Sequence, residues 1–96
     1  MSDKSNIIFK DHAIIRMLQR SISKNDVLET INGGEIIEEY KDDYPYESCL
    51  MFKIVSGRPI HVVVANNSGE NQKIVVTVYI PDFTNFEADF KTRKRN

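Results

Sequence analysis

Apolar side chains recur at helical spacing near the start of the chain and at alternate positions through its second half. Residues 12–22 contain no Gly or Pro, and their larger apolar side chains fall in one stripe, which predicts a helix. The stripe consists of Ile14, Met17, Leu18 and Ile22. Asp11 is expected to be the N-cap of this helix. We expect the stripe to be buried against a sheet.

A second helix is predicted directly after the first. Ser23 is followed three residues later by Asp26, which resembles a capping box with Asp in place of the usual Glu. Val27, Leu28 and Ile31 provide the apolar stripe, and Gly33-Gly34 is expected to end the helix.

From Glu35 onwards the pattern changes to that of β-strands. Strands are predicted at residues 36–40, 49–55, 60–66 and 73–80, and their short connections favour antiparallel neighbours. In the last strand the expected core face carries Ile74, Val76, Val78 and Ile80. The segment 83–90, with phenylalanines spaced three and four apart, is typical of either an irregular docking segment or a short helix.

These elements predict one α+β domain over residues 1–96, with two N-terminal helices packed on an antiparallel sheet of about four strands. The ordered core is expected at about 6–90, with a mobile, dispensable basic tail at 91–96. No apolar run approaches the roughly 20 residues that cross a bilayer, and the N-terminus is too polar for a signal peptide, so a cytoplasmic location is expected. With one cysteine and two histidines, no disulfide, metal site or cofactor is expected.

Charge is distributed unevenly although the formal net charge is only -1. Acidic residues crowd the middle of the chain at Glu35, Glu38, Glu39, Asp42, Asp43 and Glu47, and basic residues crowd its end at Lys91, Arg93, Lys94 and Arg95. Tyr40, Tyr44 and Tyr46 interleave with the acids, and tyrosine is a frequent interface anchor. One hypothesis is therefore that the protein is a non-catalytic binding or regulatory module that binds a basic protein partner.

A second hypothesis on function is based on residues whose side chains are suited to phosphate chemistry. His12, Arg16 and Arg20 recur every four residues and form a basic ridge on the first helix, a pattern that also suits a plain solvated face. Strand alternation allows a partly polar sheet face, on which Lys53, His61, Thr77 and Tyr79 are the candidates. Metal-free RNA cleavage needs a base for the ribose 2′-hydroxyl, an acid for the leaving oxygen and cations for the phosphorane, and these residue types supply all three.

Three segments carry a family resemblance: residues 12–20 with Ile22, residues 59–63 around His61, and Thr77-Val78-Tyr79. Together they resemble a bacterial domain family of unknown function that is grouped with the RelE, barnase, EndoU and colicin ribonuclease-toxin superfamily. Its members are often encoded beside an MqsA-like antitoxin. The resemblance implies a RelE-like fold, RNA as substrate and an antitoxin protein as partner.

The leading hypothesis is thus a toxin-like, metal-independent endoribonuclease. His61 is the first choice for acid or base, with His12 assisting proton transfer or phosphate binding. Arg16, Arg20 and Lys53 are expected to bind RNA, and Thr77 and Tyr79 to position the scissile group. We expect the ridge and His61 to open into one concavity.

Overall fold

The computed structural model describes residues 6–94, which form two helices and five strands in the order βααββββ. The elements are β1 (Asn6–Phe9), α1 (Asp11–Arg20), α2 (Lys24–Gly33), β2 (Glu35–Tyr40), β3 (Ser48–Val55), β4 (Arg58–Asn67) and β5 (Gln72–Tyr79). A single 3₁₀ turn at Ser68–Glu70 connects β4 to β5. No helix within residues 6–94 is long and apolar enough to cross a membrane.

The strands form one mixed sheet in the order β1-β5-β4-β3-β2. β2 to β5 are antiparallel neighbours, as predicted, whereas β1 pairs in parallel with β5. The predicted count of about four antiparallel strands is therefore short by β1. This strand has only four residues, and its pairing joins Asn6 to Gln72, a contact that local patterns do not report.

α1 begins one residue earlier than predicted. Its N-cap is Lys10, which provides no side-chain cap, and Asp11 lies inside the first turn, where a carboxylate favours the positive end of the helix dipole. At the other end Ser21 adopts φ 56°, and the amide of Ile22 donates to the carbonyl of Met17 at 2.9 Å. This pairing is a Schellman motif, which ends α1.

α2 begins and ends as its sequence predicts. The Asp26 amide donates to Ser23 Oγ at 3.1 Å, and the Ser23 amide donates to the Asp26 carboxylate at 3.0 Å, which completes the capping box. Gly34 is the C-cap, and its amide donates to the Thr30 carbonyl. A Cβ there would lie 2.6 Å from the Phe52 carbonyl oxygen, so the close approach of α2 to β3 requires glycine.

The core lies between the two helices and one face of the sheet, but α1 is rotated from its predicted orientation. Ala13 and Met17 face the core, whereas Leu18 is 77% exposed and Ile14 is 39% exposed. The prediction that Ile14 and Leu18 are buried is wrong, because the helix approaches the sheet through the small side chain of Ala13. The core cluster also contains Ile22, Val27, Ile31, Val55, Ile60, Val62, Val64, Val75 and Val78.

A β-bulge in β5 changes which residues of that strand face the core, so the predicted core face is wrong. Val63 pairs with Thr77 and Val64 pairs with Val75, so Val76 is the extra residue. Val75 and Val78 are both fully buried in the core cluster, while Ile74 and Val76 line a cavity elsewhere. Because strict alternation fails at the bulge, the predicted set of Ile74, Val76, Val78 and Ile80 does not share one face.

Residues 81–94, here termed the closing segment, are irregular and lie on the His61 side of the sheet, which resolves the earlier choice between coil and helix. Phe86 is 2% exposed and pairs with Arg93 in an isolated bridge. Arg93 binds the Glu38 carboxylate at 2.7 Å, and Lys91 binds Glu35 at 3.4 Å. Residues 91–94 of the predicted mobile tail therefore contact β2, while 95–96 and the predicted loose residues 1–5 lie outside the described range.

Candidate functional site

A groove opens where α1 passes the end of β5, with a volume of about 310 Å³. It is lined by His12, Arg16, Arg20, Thr77, Tyr79, Ile80, Pro81, Asp82, Asn85 and Phe86. Five of the seven residues proposed from sequence as site residues are in this list. The first three come from α1, the next two from β5 and the last five from the chain that follows β5.

The groove exists because β1 stops short of the end of β5. The last paired residues are Phe9 and Val75, and the amide of Lys10 then donates to the Val75 carbonyl at 3.1 Å. Beyond this point the chain turns into α1, so the helix, and not a strand, lies beside Thr77 and Tyr79. The four-residue spacing of the α1 ridge aims its three basic side chains at this margin of the sheet.

Arg58, at the start of β4, fixes the C-terminal end of α1. Its guanidinium donates to the carbonyl of Arg20 at 3.0 Å and to that of Ser21 at 2.8 Å, and it lies 3.4 Å from the Asp26 carboxylate. These bonds satisfy carbonyls that a helix end leaves unpaired. Sequence reasoning missed this positioning residue, since its partners lie in other elements.

The basic side chains of the groove are accessible and lack acidic partners. His12 and Arg20 are exposed and Arg16 is partly buried. Within residues 6–94 neither arginine forms a salt bridge, and Arg16 donates only to the neutral Gln19 side chain at 3.2 Å. Both guanidinium groups are therefore available to an anion.

Asp82 is the one carboxylate among the residues that line the groove. Its Oδ1 accepts from the amides of Thr84 and Asn85 at 3.1 Å and 3.3 Å. These bonds spread part of its negative charge over the turn that begins the closing segment. Asp82 thus shapes the rim beside Asn85 and Phe86.

Tyr79 provides a protonated hydroxyl on the strand side of the groove. Burial raises the pKa of Tyr79, and this effect outweighs the opposing influence of the nearby Arg93 charge. A phenol with a raised pKa keeps its proton at neutral pH and serves as a donor. Thr77, two residues earlier on the same face, adds a second hydroxyl.

His61 does not open into the groove, so the expected convergence is wrong for this residue. Its side chain is 0% exposed, and it lies behind two residues of the groove wall. The ring centroid is 5.1 Å from that of Tyr79 and 4.6 Å from that of Phe86. Phe86 belongs to the closing segment, and this irregular segment covers the sheet face on which a catalytic histidine had been expected.

The surroundings of His61 are those of a structural residue. Its Nε2 donates to the Phe90 carbonyl oxygen at 2.7 Å, while its Nδ1 is buried without a hydrogen-bond partner in residues 6–94. Burial lowers the pKa of His61, although the Phe90 carbonyl opposes the change. The ring therefore stays neutral and attaches the closing segment to β4.

Lys53 also lies away from the groove. It pairs with Ile60 across β3 and β4, so it lies on the helix face of the sheet, whereas its neighbour Phe52 shares the face of His61. Its side chain lines a separate depression at the edge of α2, beside Glu29 and Gly33. The predicted polar face shared by Lys53 and His61 is wrong, because the two side chains point to opposite sides.

The acidic stretch is partly neutralised by the chain's own basic end. Burial would raise the pKa of Glu38, but hydrogen bonds from Arg93 and Tyr40 outweigh it and lower that pKa. Burial and the bond to Glu38 raise the pKa of Tyr40 to about 12. Two of the acids that were expected to attract a basic partner are thus already paired.

A family model described as a domain of unknown function, DUF4258, matches residues 9–80. The chain belongs to this family. The DUF4258 match includes α1 and all of β5, and with them the five groove residues proposed from sequence. It ends at Ile80, so the closing segment lies beyond it. No curated protein and no solved structure gives a match to this member of DUF4258.

Proposed function

We propose that the protein is a toxin-like, metal-independent endoribonuclease and that its RNA substrate binds in the groove between α1 and β5. The observation that carries this proposal is the meeting of His12, Arg16 and Arg20 with Thr77 and Tyr79 around one accessible groove. A base, a protonated hydroxyl and two guanidinium groups that form no salt bridge within residues 6–94 are the groups that phosphodiester transfer requires. The resemblance of residues 12–20, 59–63 and 77–79 to a family grouped with the RelE-type ribonuclease toxins favours the same reaction class.

Arg16 and Arg20 bind the scissile phosphate. Each guanidinium presents a planar fork of donors that matches phosphate oxygens, and the fork stays charged throughout the reaction. His12 lies in the first turn of α1, so a phosphate beside it also benefits from the positive end of the helix dipole. As the pentacoordinate phosphorane gains negative charge, these interactions strengthen and lower the barrier.

Proton transfer is assigned to His12 and Tyr79. His12 takes the proton of the ribose 2′-hydroxyl, and the 2′-oxygen attacks phosphorus as the bond to the 5′-oxygen breaks. The Tyr79 hydroxyl gives its proton to the leaving 5′-oxygen, and the proton held by His12 restores the phenol. The products are a 2′,3′-cyclic phosphate and a 5′-hydroxyl, so no water or metal ion enters the chemical step.

Thr77 is assigned a positioning role. Its hydroxyl lies on the same strand face as that of Tyr79 and donates to a non-bridging phosphate oxygen. An antitoxin protein would regulate such an enzyme by covering the groove. The alternative of a binding module on the acidic stretch has weaker support, since Glu35 and Glu38 already pair with Lys91 and Arg93.

The test is incubation of the purified protein with single-stranded RNA in EDTA. We expect cleavage to fragments that end in a 2′,3′-cyclic phosphate, and no cleavage of the same sequence as DNA, which lacks the attacking hydroxyl. Replacing Arg16 and Arg20 together by Ala should lower kcat/KM at least about tenfold, the equivalent of roughly 1.4 kcal/mol of transition-state binding.

Lys53→Ala is the matched control, because it also removes a cation but from the depression beside α2. Its kcat/KM should equal that of the wild type. The proposal fails if the wild-type protein leaves RNA intact in EDTA, or if Lys53→Ala and the double arginine variant lose the same amount of activity.

A further inference from the structure

A second cavity of about 300 Å³ lies farther along the same side of β5, and is here termed the tyrosine cavity. Its floor is aliphatic and comes from β4 and β5, while its walls come mainly from the loop between β2 and β3. The lining residues are Lys10, Asp43, Tyr44, Pro45, Tyr46, Ser48, Val63, Ala65, Ile74 and Val76. Neither the proposed cleavage chemistry nor the packing of the core uses this cavity.

The two tyrosines differ in how firmly they are held. The Tyr46 hydroxyl accepts a hydrogen bond from the Asn67 side chain at 3.0 Å, which fixes its ring against β4. Tyr44 is 93% exposed, so almost all of its aromatic surface faces water. An exposed ring beside an aliphatic floor offers a flat surface that a planar ligand would bury.

The tyrosine cavity adjoins the groove through consecutive residues. Val76 lines the cavity, and its neighbour Thr77 lines the groove. On the other side, Lys10 lines the cavity and His12 lines the groove. A chain molecule lying along this margin of β5 would therefore cross both hollows.

We propose that the tyrosine cavity binds a nucleobase of the RNA strand whose phosphate occupies the groove, with the base stacked on Tyr44 over the aliphatic floor. This inference rests on the proposed function for its choice of ligand. Sequence recognition of single-stranded RNA commonly stacks an unpaired base on an aromatic side chain and reads its edge through hydrogen bonds. The cavity supplies both components, since polar groups stand at its rim.

The polar side chains at the rim of the tyrosine cavity indicate how the edge of the base would be recognised by hydrogen bonds. One Asp43 oxygen accepts from the Ser48 hydroxyl at 2.5 Å, and this bond orients the carboxylate. The other oxygen accepts from an amino or imino group of the base, as carboxylates do when they recognise bases. Lys10 then contacts the phosphate that leads to the groove, so the base binds with an amino or imino donor turned towards Asp43.

The base site is tested with ligands that carry no phosphate. In NMR titrations, guanosine and cytidine should produce saturable shifts of the Val76 and Ile74 methyl signals, and ribose alone should produce none. Tyr44→Ala should abolish the saturation and Tyr44→Phe, which keeps the ring, should retain it. With single-stranded RNA, Tyr44→Ala should weaken binding on the order of tenfold, as expected for one lost stacking contact.

Each outcome separates this inference from the proposed function. RNA cleavage without any nucleoside-induced shift would overturn the base site and leave the endoribonuclease standing. Saturable nucleoside shifts in a protein that never cleaves RNA would support the base site and remove the cleavage proposal alone. Equal shifts in the wild type and Tyr44→Ala, or shifts with a tyrosine-containing peptide but not with nucleosides, would overturn stacking on Tyr44.

Discussion

The role of a histidine within a strand depends on what covers the sheet face to which it points. His61 pairs with Tyr79 across β4 and β5, so alternation correctly placed these two side chains together. The same residue is buried because Phe86 and Phe90 of the closing segment lie over it. Position in a strand thus predicted its neighbours but not its accessibility.

The burial of His61 predicts a pH dependence of stability. Its pKa in the folded protein is lowered from the ordinary 6.5, first by burial, so below that pH the unfolded chain binds a proton that the folded protein resists. The free energy of unfolding should be unaffected by this group above about pH 6.5, and should fall at lower pH by at most about 1.4 kcal/mol per pH unit until the folded-state pKa is reached.

Urea melts of matched histidine variants between pH 7.5 and roughly pH 5 would measure this effect. His61→Gln should flatten the decline, whereas His12→Gln should keep it, because the buried His61 ring is still present in that variant. An equally steep decline in both variants would show that His61 does not titrate as its burial requires.

Gly33 and Gly34 are adjacent, but the structure predicts different effects on stability when each is replaced by alanine. In Gly34→Ala the new Cβ would lie 2.5 Å from the Thr30 carbonyl oxygen and 2.6 Å from that of Phe52, so the backbone must shift. We expect a loss of roughly 1–3 kcal/mol in urea melts, in the range of other overpacked sites. In Gly33→Ala the nearest atom is Lys53 Cε at 3.3 Å, at the end of a flexible side chain, and stability should change by less than about 0.5 kcal/mol. Equal losses in the two variants would contradict the close approach of α2 to β3.

At the scale of elements, the features that depend on near neighbours were predictable. The capping box of Ser23 and Asp26 lies within four residues, and both of its hydrogen bonds form. The bulge at Val76 depends on how β5 pairs with β4, and the rotation of α1 depends on the small size of Ala13 at the contact. These features arise from tertiary packing, so apolar spacing alone assigned the wrong residues to the core.

The rotation of α1 is tested by two neighbouring residues of similar size. Met17 is 7% exposed and Leu18 is 77% exposed. Met17→Ala should cost about 2–5 kcal/mol because it leaves a cavity in the core, whereas Leu18→Ala should cost under about 0.5 kcal/mol. A loss of about 2–5 kcal/mol in both variants would place α1 as the sequence pattern alone predicted.

At the scale of the whole molecule, the groove is formed by residues from α1, near the start of the chain, together with residues from β5 and the closing segment. The four-residue spacing of His12, Arg16 and Arg20 was enough to predict a ridge at the sheet margin, and the three residues do line the groove with Thr77 and Tyr79. The contribution of Asp82, Asn85 and Phe86 was not predictable, since an irregular segment has no periodic pattern. That segment both completes the groove wall and removes His61 from it.

The central claim, that the groove and not the buried face is the catalytic site, is tested most directly by the chain's two histidines. Single-turnover cleavage of an RNA oligonucleotide in EDTA should be measured for His12→Gln and His61→Gln, at a temperature where circular dichroism shows both variants folded. Loss of a general base should slow His12→Gln by roughly 10²–10⁴-fold, while His61→Gln should cleave at a rate near that of the wild type. A folded His61→Gln variant without activity, together with an active His12→Gln variant, would contradict this assignment.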